Sequence, residues 1–154
     1  MPIPDFVLEL RAKVGHDQLW LSGVTAVIRR EDQVLMVRRA DNGEWTPVTG
    51  IVDPGEEPAA CAVREAREET GVSIRVDRLA SVDSATGVTY DNGDRACYLD
   101  LTFACTWLAG EPYVADDESV DVRWWPIDGL PEMKPMLLER IDAALSEESV
   151  ARFR

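Results

Sequence analysis

Cysteine is scarce in this 154-residue sequence, which contains only Cys61, Cys97 and Cys105. The number is odd and no pair has the CxxC spacing, so the pattern argues against both a disulfide framework and a zinc site. We expect three small, buried, hydrophobic side chains. Histidine is scarcer still: the one residue, His16, lies near the end of a predicted helix, and we expect it to be structural rather than catalytic.

Long apolar runs are missing as well. No stretch approaches the roughly 20 residues that a membrane-spanning helix needs, and the segment MPIPDFVLEL lacks the features of a secretory leader. We therefore expect a cytoplasmic protein without a membrane partner. The sequence contains no internal repeat and no Gly/Ser linker. A chain of this length is about one domain, so we expect one domain over residues 1–154 with a helical extension at 1–20.

Positive charge is in short supply. Lysine and arginine together number 16 against 29 aspartates and glutamates, which gives a formal net charge of -13. A nucleic acid would meet a repulsive field, so the charge argues against a nucleic-acid partner. A small anionic ligand remains compatible if divalent cations bridge it to the acids. Acidity alone does not establish such a site, because it also favours solubility.

Apolar periodicity and turn signals predict strands interleaved with helices, which favours an α/β fold. One helix is predicted in DFVLELRAKVG, a second from Pro58 to Glu69 with Gly71 as its stop, and a third from about Pro131 to Leu145. Strands are predicted in GVTAVIRREDQVLMVRR, which holds two, and in WTPVTGIV, VSIRVDRLASVDSA, RACYLDLTFACTWLAG and VDVRWWPI. The segments TGVTYDNGD and EPYVADDES are predicted loops.

Three glutamates crowd the second predicted helix. Glu65, Glu68 and Glu69 are related as i, i+3 and i+4, so they share one helix face within a turn. Like charges repel there unless a cation sits among them, and Arg64 supplies only part of the compensation. Such oxygen-rich sites suit Mg²⁺ or Mn²⁺. For an isolated REAREE segment, a solvated helix of mixed charge would be the simpler interpretation, so the surrounding sequence decides.

That context is the spacing G-x5-E-x7-R-E-U-x-E-E-x-G-U, where U is apolar, across residues 50–72. The sequence GIVDPGEEPAACAVREAREETGV satisfies every defined position and resembles the signature of the Nudix hydrolases, the Nudix box. The resemblance implies an α/β/α sandwich with a mixed central β-sheet. It also implies metal-dependent hydrolysis of a nucleoside diphosphate linked to another group, with Mg²⁺ or Mn²⁺ as the cofactor.

The resemblance also implies roles for individual residues. Metal ligands are implied at Glu65, Glu69, Glu68 and a main-chain carbonyl near Thr49 or Gly50. Glu68 has the alternative role of a base that orients water. Arg64 would hold the glutamates in place, and Glu56 would pair with Arg64.

Relatives often recruit one more acid from a distant loop. The candidates here are Asp116, Asp117 and Glu118, which precede VDVRWW. We favour Glu118 as an additional catalytic acid. The alternative is a flexible acidic loop without a role in the site.

Substrate choice rests on weaker signals. Trp45, Tyr90 and Tyr113 flank the predicted site and could stack on a base, although Trp45 also suits a core position. Tyr90 roughly matches a tyrosine associated in the family with dinucleoside polyphosphates. Arg39, like its neighbour Arg38, suits either phosphate binding or an ordinary surface position. The proline pattern of ADP-ribose enzymes and the motif of the NADH-specific branch are absent.

The sequence thus predicts a hydrolase with a small nucleotide or dinucleotide-like substrate. Two alternatives stay open. One is a Nudix-fold ligand-binding or regulatory module without turnover, and the other is a housekeeping hydrolase of oxidised nucleoside triphosphates. Homodimerisation is common among relatives, so a homodimer is also an open expectation.

Overall fold

The computed structural model describes residues 3–154, so the first two residues of the predicted extension lie outside the described chain. The three α-helices are Asp5–Val14 (α1), Pro58–Thr70 (α2) and Pro135–Leu145 (α3). The seven strands are Leu19–Arg30 (β1), Gln33–Arg39 (β2), Trp45–Thr46 (β3), Val48–Ile51 (β4), Ser73–Thr89 (β5), Arg95–Ala109 (β6) and Ser119–Pro126 (β7). A short 3-10 helix, Ile127–Gly129, precedes α3.

All seven strands form one mixed sheet. Its main path runs β3-β2-β1-β6-β5, while β4 pairs with β1 and β7 pairs with β2. The pair β1 and β6 is parallel, and every other described pair is antiparallel. The mixed central sheet that the sequence predicted is therefore confirmed.

Helices cover both faces of the sheet. Neighbouring side chains of a strand point to opposite faces, so Ile28 packs in the cluster that contains α2, while Val27 packs with α3. Helix α1 lies on the same face of the sheet as α3. Its Val7 packs against Leu21, whose side chain points to the same face of β1 as that of Val27. The arrangement is the expected α/β/α sandwich, with α2 alone on its face among the described helices.

Several predicted boundaries differ from the structure, and the first strand begins at Leu19 rather than at Gly23. WTPVTGIV is two strands rather than one, because the chain leaves β2 and joins β1 at Pro47, which has no N–H for a sheet hydrogen bond. Strand β5 extends past its predicted end to Thr89, since a register shift around Gly87 lets pairing with β6 resume. Helix α3 begins at Pro135 rather than Pro131, because the residue before a proline is driven out of the helical region.

The prediction of three buried cysteines is confirmed. Cys61, Cys97 and Cys105 are buried, and none forms a disulfide. His16 lies at the surface, where its Nδ1 is 2.8 Å from the Asp94 carboxylate. Among residues 3–154, no helix is both long enough and apolar enough to cross a membrane.

Candidate active site

Helix α2 begins and ends as its sequence dictates. Pro58 occupies its first turn, where the missing N–H costs nothing, and Gly71 closes it in the left-handed region with φ of 74°. The glutamates do not share one environment. Glu65 and Glu69 lie on the face that packs toward the sheet and are 0% and 4% exposed, whereas the Glu68 side chain is 46% exposed. Burial of two neighbouring carboxylates is costly unless they are compensated.

Gly50 makes room for the Glu65 carboxyl group. A Cβ atom at position 50 would overlap the Glu65 carboxyl, so the bare backbone of β4 is what allows the two elements to approach. Glu65 Oε2 is buried and has no hydrogen-bond partner within residues 3–154. An unpartnered carboxylate oxygen at such a depth calls for a proton or a cation.

Arg64 links the glutamates around it. Its Nε and Nη2 donate to the two carboxylate oxygens of Glu56, at 2.7 and 2.9 Å. Its Nη1 donates to Glu65 Oε1 at 2.8 Å and to Glu68 Oε2 at 3.1 Å. These hydrogen bonds lower the pKa of Glu56 and raise that of Arg64. The structure therefore places Glu56, Arg64, Glu65 and Glu68 in one hydrogen-bonded group.

Protonation at the site reflects burial. Loss of hydration raises the pKa of Glu65 to about 7, against the opposing effect of Arg64. Burial raises the pKa of Glu69 to about 9, and the charges of Glu65, Glu118 and Asp116 add to the effect. Burial also raises the pKa of Glu118. Without a cation, burial and mutual repulsion therefore favour the protonated form of these carboxyl groups.

The acidic loop after β6 is tied to the end of α2. The amide of Tyr113 donates to Thr70 O at 3.1 Å, and that of Ala115 donates to Glu69 O at 3.2 Å. At the other end of the loop, Ala40 donates to Glu118 O at 2.7 Å. These contacts bring Asp116 and Glu118 within electrostatic reach of Glu69. Asp117, the remaining candidate, is exposed.

The predicted substrate residues fall into two places. Arg39 donates to both carboxylate oxygens of Asp41, and the charges of Glu118 and Tyr90 contribute to the raised pKa of its guanidinium. Glu118 and Tyr90 are therefore each close enough to Arg39 for their charges to act on it. Trp45 is elsewhere: its ring lies edge-to-face against Trp125 at 5.2 Å, in the cluster that contains α3.

The structure also locates three other residues that were named from the sequence. Thr49 is half-buried in β4 opposite Thr25, Arg38 donates to Gly43 O at 3.1 Å, and Tyr113 is 61% exposed. Sequence reasoning missed Tyr98, whose hydroxyl forms a hydrogen bond with that of Tyr90. Its place inside a long alternating strand gave no signal beyond a core role.

The donor set fits a hard divalent cation. Carboxylate oxygens are the ligands that Mg²⁺ and Mn²⁺ prefer, and the unpartnered Glu65 Oε2 and the raised pKa values call for positive charge. Within the described residues, no group of three or more Asp, Glu, His or Cys side chains is already arranged as a metal site. Arg64 Nη1 lies between Glu65 and Glu68 and donates to both.

Comparison with known proteins gives a consistent result. The model of a family described as NUDIX domain matches residues 20–146. A MutT-like protein of Streptomyces ambofaciens is 34% identical over 123 residues, which cover 77% of this chain and 74% of that protein. An NAD-capped RNA hydrolase NudC of Stutzerimonas stutzeri is 31% identical over 122 residues, which cover 78% of this chain but only 41% of that protein. A solved NUDIX hydrolase from Nitrosomonas europaea has a TM-score of 0.67 and 26% identity, and the match covers 81% of this chain and 88% of that one.

Proposed function

Because this chain belongs to the Nudix hydrolase family, we propose that it hydrolyses a phosphoanhydride bond in a nucleoside diphosphate linked to another group, with Mg²⁺ or Mn²⁺. The observation that carries the proposal is the buried pair Glu65 and Glu69 beside Glu118, with one oxygen of Glu65 unpartnered within residues 3–154. A site in which buried carboxyl groups lie this close together is suited to binding cations together with a phosphorylated substrate.

When bound, a divalent cation stabilises charge on the phosphoryl oxygens and lowers the pKa of a water molecule. Glu65 and Glu69 would hold it, and the Gly50 carbonyl is the expected main-chain ligand. Arg64 keeps Glu65 and Glu68 oriented through the hydrogen bonds of its Nη1. Glu68 is the most exposed of the three glutamates and would orient the attacking water or accept its proton.

Glu118 and Arg39 complete the proposed arrangement. Glu118 lies close enough to Glu65 and Glu69 to raise the pKa of both, so it would serve as a further acid at the metal site. The charges of Glu118 and Tyr90 both act on Arg39. Arg39 would contact substrate phosphates, and Tyr90 would stack on the second base of a dinucleotide-like substrate. Trp45 keeps its predicted stacking role only if a substrate reaches the α3 face of the sheet.

Capped RNA is a second candidate substrate. The observation in its favour is the similarity to a relative named as an NAD-capped RNA hydrolase. This chain spans 41% of that protein, and its net charge of -13 disfavours an RNA body. A small nucleotide therefore remains our first proposal, with a cytoplasmic location and a possible homodimer as further expectations.

The test is phosphate or nucleotide release from a substrate panel. The panel spans nucleoside triphosphates, oxidised nucleoside triphosphates, ADP-ribose, sugar nucleotides, dinucleoside polyphosphates, NADH and NAD-capped RNA. We expect turnover of one class with Mg²⁺ or Mn²⁺, no turnover with chelator, and loss of most turnover in Glu69→Gln with the fold intact. Silence across the panel from folded, metal-bound protein would contradict the proposal and favour a binding module.

A further inference from the structure

A cavity of about 710 Å³ lies between the start of α1 and the Nudix box. Ile3, Pro4 and Phe6 form one wall, and Pro54, Arg64 and Glu68 belong to the opposite wall. The volume is within the range of small-molecule sites. Residues 3–6 lie outside the range 20–146 that the family model matches. Residues outside the range that the family model matches therefore border the proposed catalytic helix.

The packing of α1 against the sheet fixes the cavity wall formed by Ile3, Pro4 and Phe6. Val7 is 5% exposed and packs in the cluster that also contains Leu21 and Ala96. Arg11 Nη2 donates to Arg95 O at 2.7 Å, which ties the helix to the start of β6. The carbonyl of Pro4 accepts hydrogen bonds from the amides of Val7 and Leu8. Residues 4–6 are thus fixed relative to the sheet.

The charges in the cavity disfavour an anionic group. Besides Glu68, three aspartates contribute to the lining: Asp5, Asp53 and Asp116. Among the described residues of the lining, Arg64 is the one positively charged side chain, and its guanidinium already donates to Glu56, Glu65 and Glu68. A phosphate here would be repelled unless a cation accompanied it. The cavity instead suits an uncharged part of a ligand.

The remaining surface is apolar. Ile3 is 49% exposed although it is hydrophobic, and Phe6 is only partly buried in the cluster that holds α1. Pro4 and Pro54 add further apolar surface to the same cavity. Aromatic and aliphatic surfaces of this kind bind flat, weakly polar rings better than hydroxylated sugars.

We propose that Ile3 and Phe6 bind the base of the nucleotide substrate whose diphosphate is cleaved beside Glu65 and Glu69. The inference rests on the proposed function and adds a specificity site to it. Phe6 offers a ring that packs against the base, and Ile3 covers the base with an exposed aliphatic side chain. The diphosphate would then extend past Arg64 and Glu68 toward Glu65 and Glu69, where the proposed divalent cation would offset its charge.

Two substitutions in the full chain test this site. Ile3→Gln keeps the size of an exposed side chain but removes its apolar contact, and Phe6→Leu keeps packing while removing the ring. Leu8→Gln is the matched control, since Leu8 is 50% exposed on the same helix and lies outside the cavity lining. We expect KM for the nucleotide substrate to rise about three- to tenfold in both test variants, with kcat within about twofold. The inhibition constant of inorganic tripolyphosphate, which has no base, should not change in any variant.

The same comparison is made by calorimetric binding of a nucleoside 5′-monophosphate, which needs no turnover. Weaker binding in Ile3→Gln but not in Leu8→Gln supports the base-binding site, whether or not any substrate in the panel is hydrolysed. A panel without turnover would contradict the proposed function but not this site. Unchanged KM and unchanged binding in both test variants would overturn the inference. So would a lower KM or a higher kcat, because residues 3–6 would then obstruct the cavity rather than bind substrate.

Discussion

The ring of Tyr113 covers Gly71 so closely that a Cβ atom at position 71 would overlap it. Gly71 also ends α2 in the left-handed region, with its amide donating to Arg67 O at 3.0 Å. The amide of Tyr113 in turn donates to Thr70 O. Gly71 thus both ends the helix and allows the loop that carries Glu118 to pack against it, next to the candidate active site.

Gly71→Ala should be more damaging than an alanine at another left-handed glycine. Gly87 is the matched control, because its φ is 69° and no atom lies within 4 Å of an added Cβ. Gly87→Ala should cost about 1–2 kcal/mol, the conformational penalty alone. Gly71→Ala adds the overlap with Tyr113, so we expect a further loss of about 1–3 kcal/mol. Urea denaturation measures both values, and equal losses would contradict the overlap.

The overlap also predicts coupling between positions 71 and 113. Tyr113→Ala should relieve part of the cost of Gly71→Ala, so the double variant should be more stable than the sum of the single changes indicates. The kcat of the double variant should stay low, because without the Tyr113 ring the acidic loop is no longer held beside α2. Additive stability changes in this cycle would show that the ring is not the obstacle.

Much of the fold was predictable because its signals are local. The proline at position 58, the alanine-rich middle and Gly71 predict α2 without knowledge of any other element, and the structure confirms it. The spacing of Glu65, Glu68 and Glu69 placed them within one turn. It did not predict that Glu68 would be exposed while the other two are buried, because burial depends on how β4 approaches the helix at Gly50.

Contacts distant in sequence account for what was missed. The helical stripe of α1 was visible, but its docking against β1 and β6 depends on Leu21 and Ala96, which no local pattern links to it. The cavity beside the Nudix box follows from that docking. Likewise, residues before Pro47 pair with β2 and residues after it pair with β1, and no local pattern indicates this. The prediction of a single strand was therefore wrong there.

Gly50→Ala should disable the site without a backbone penalty, because the φ of Gly50 is not in the left-handed region. The added methyl group would overlap the Glu65 carboxyl and displace it. We expect kcat to fall at least about tenfold and the free energy of unfolding to drop by about 1–3 kcal/mol. Gly23→Ala is the control, since an added Cβ there would lie 3.4 Å from Gly50 O and from Asp100 Oδ1, in contact without overlap. Full activity in Gly50→Ala would argue against Glu65 as a metal ligand.

Arg64→Lys should lower kcat by about 10- to 100-fold, because lysine cannot make the paired contact with Glu56 while also reaching Glu65. Arg67→Lys, an exposed change on the same helix, should leave kcat unchanged. Steady-state kinetics across a range of Mg²⁺ concentrations would show whether the loss lies in metal affinity or in turnover. If the two lysine variants behave alike, Arg64 does not position the glutamates.

Glu118→Gln should raise the Mg²⁺ concentration needed for half-maximal activity, because it removes a charge that lies near Glu65 and Glu69. Asp117→Asn is the neighbouring control: Asp117 is exposed and should contribute nothing. Metal titrations of both variants measure the difference. Identical titration curves for Glu118→Gln and the unmodified protein would show that the choice of Glu118 is wrong.

Metal-free protein should lose stability as the pH rises from about 5 to 9. Burial raises the pKa of Glu65 to about 7 and that of Glu69 to about 9, above the ordinary 4.5. Between the ordinary and the raised values the folded state binds more protons than the unfolded state, so the free energy of unfolding decreases with pH and levels off above about 9. Below about pH 4.5 both states are protonated at these groups, and the full stability is present.

Melting temperatures measured in chelator across this pH range test the sign. Glu69→Gln should flatten most of the slope, whereas Glu147→Gln, an exposed change far along the chain, should leave the slope as it is. Excess Mg²⁺ should raise the melting temperature more at pH 8 than at pH 5, because cations bind the charged carboxylates. A melting temperature that rises with pH in chelator would mean that Glu65 and Glu69 are charged and compensated in the metal-free fold.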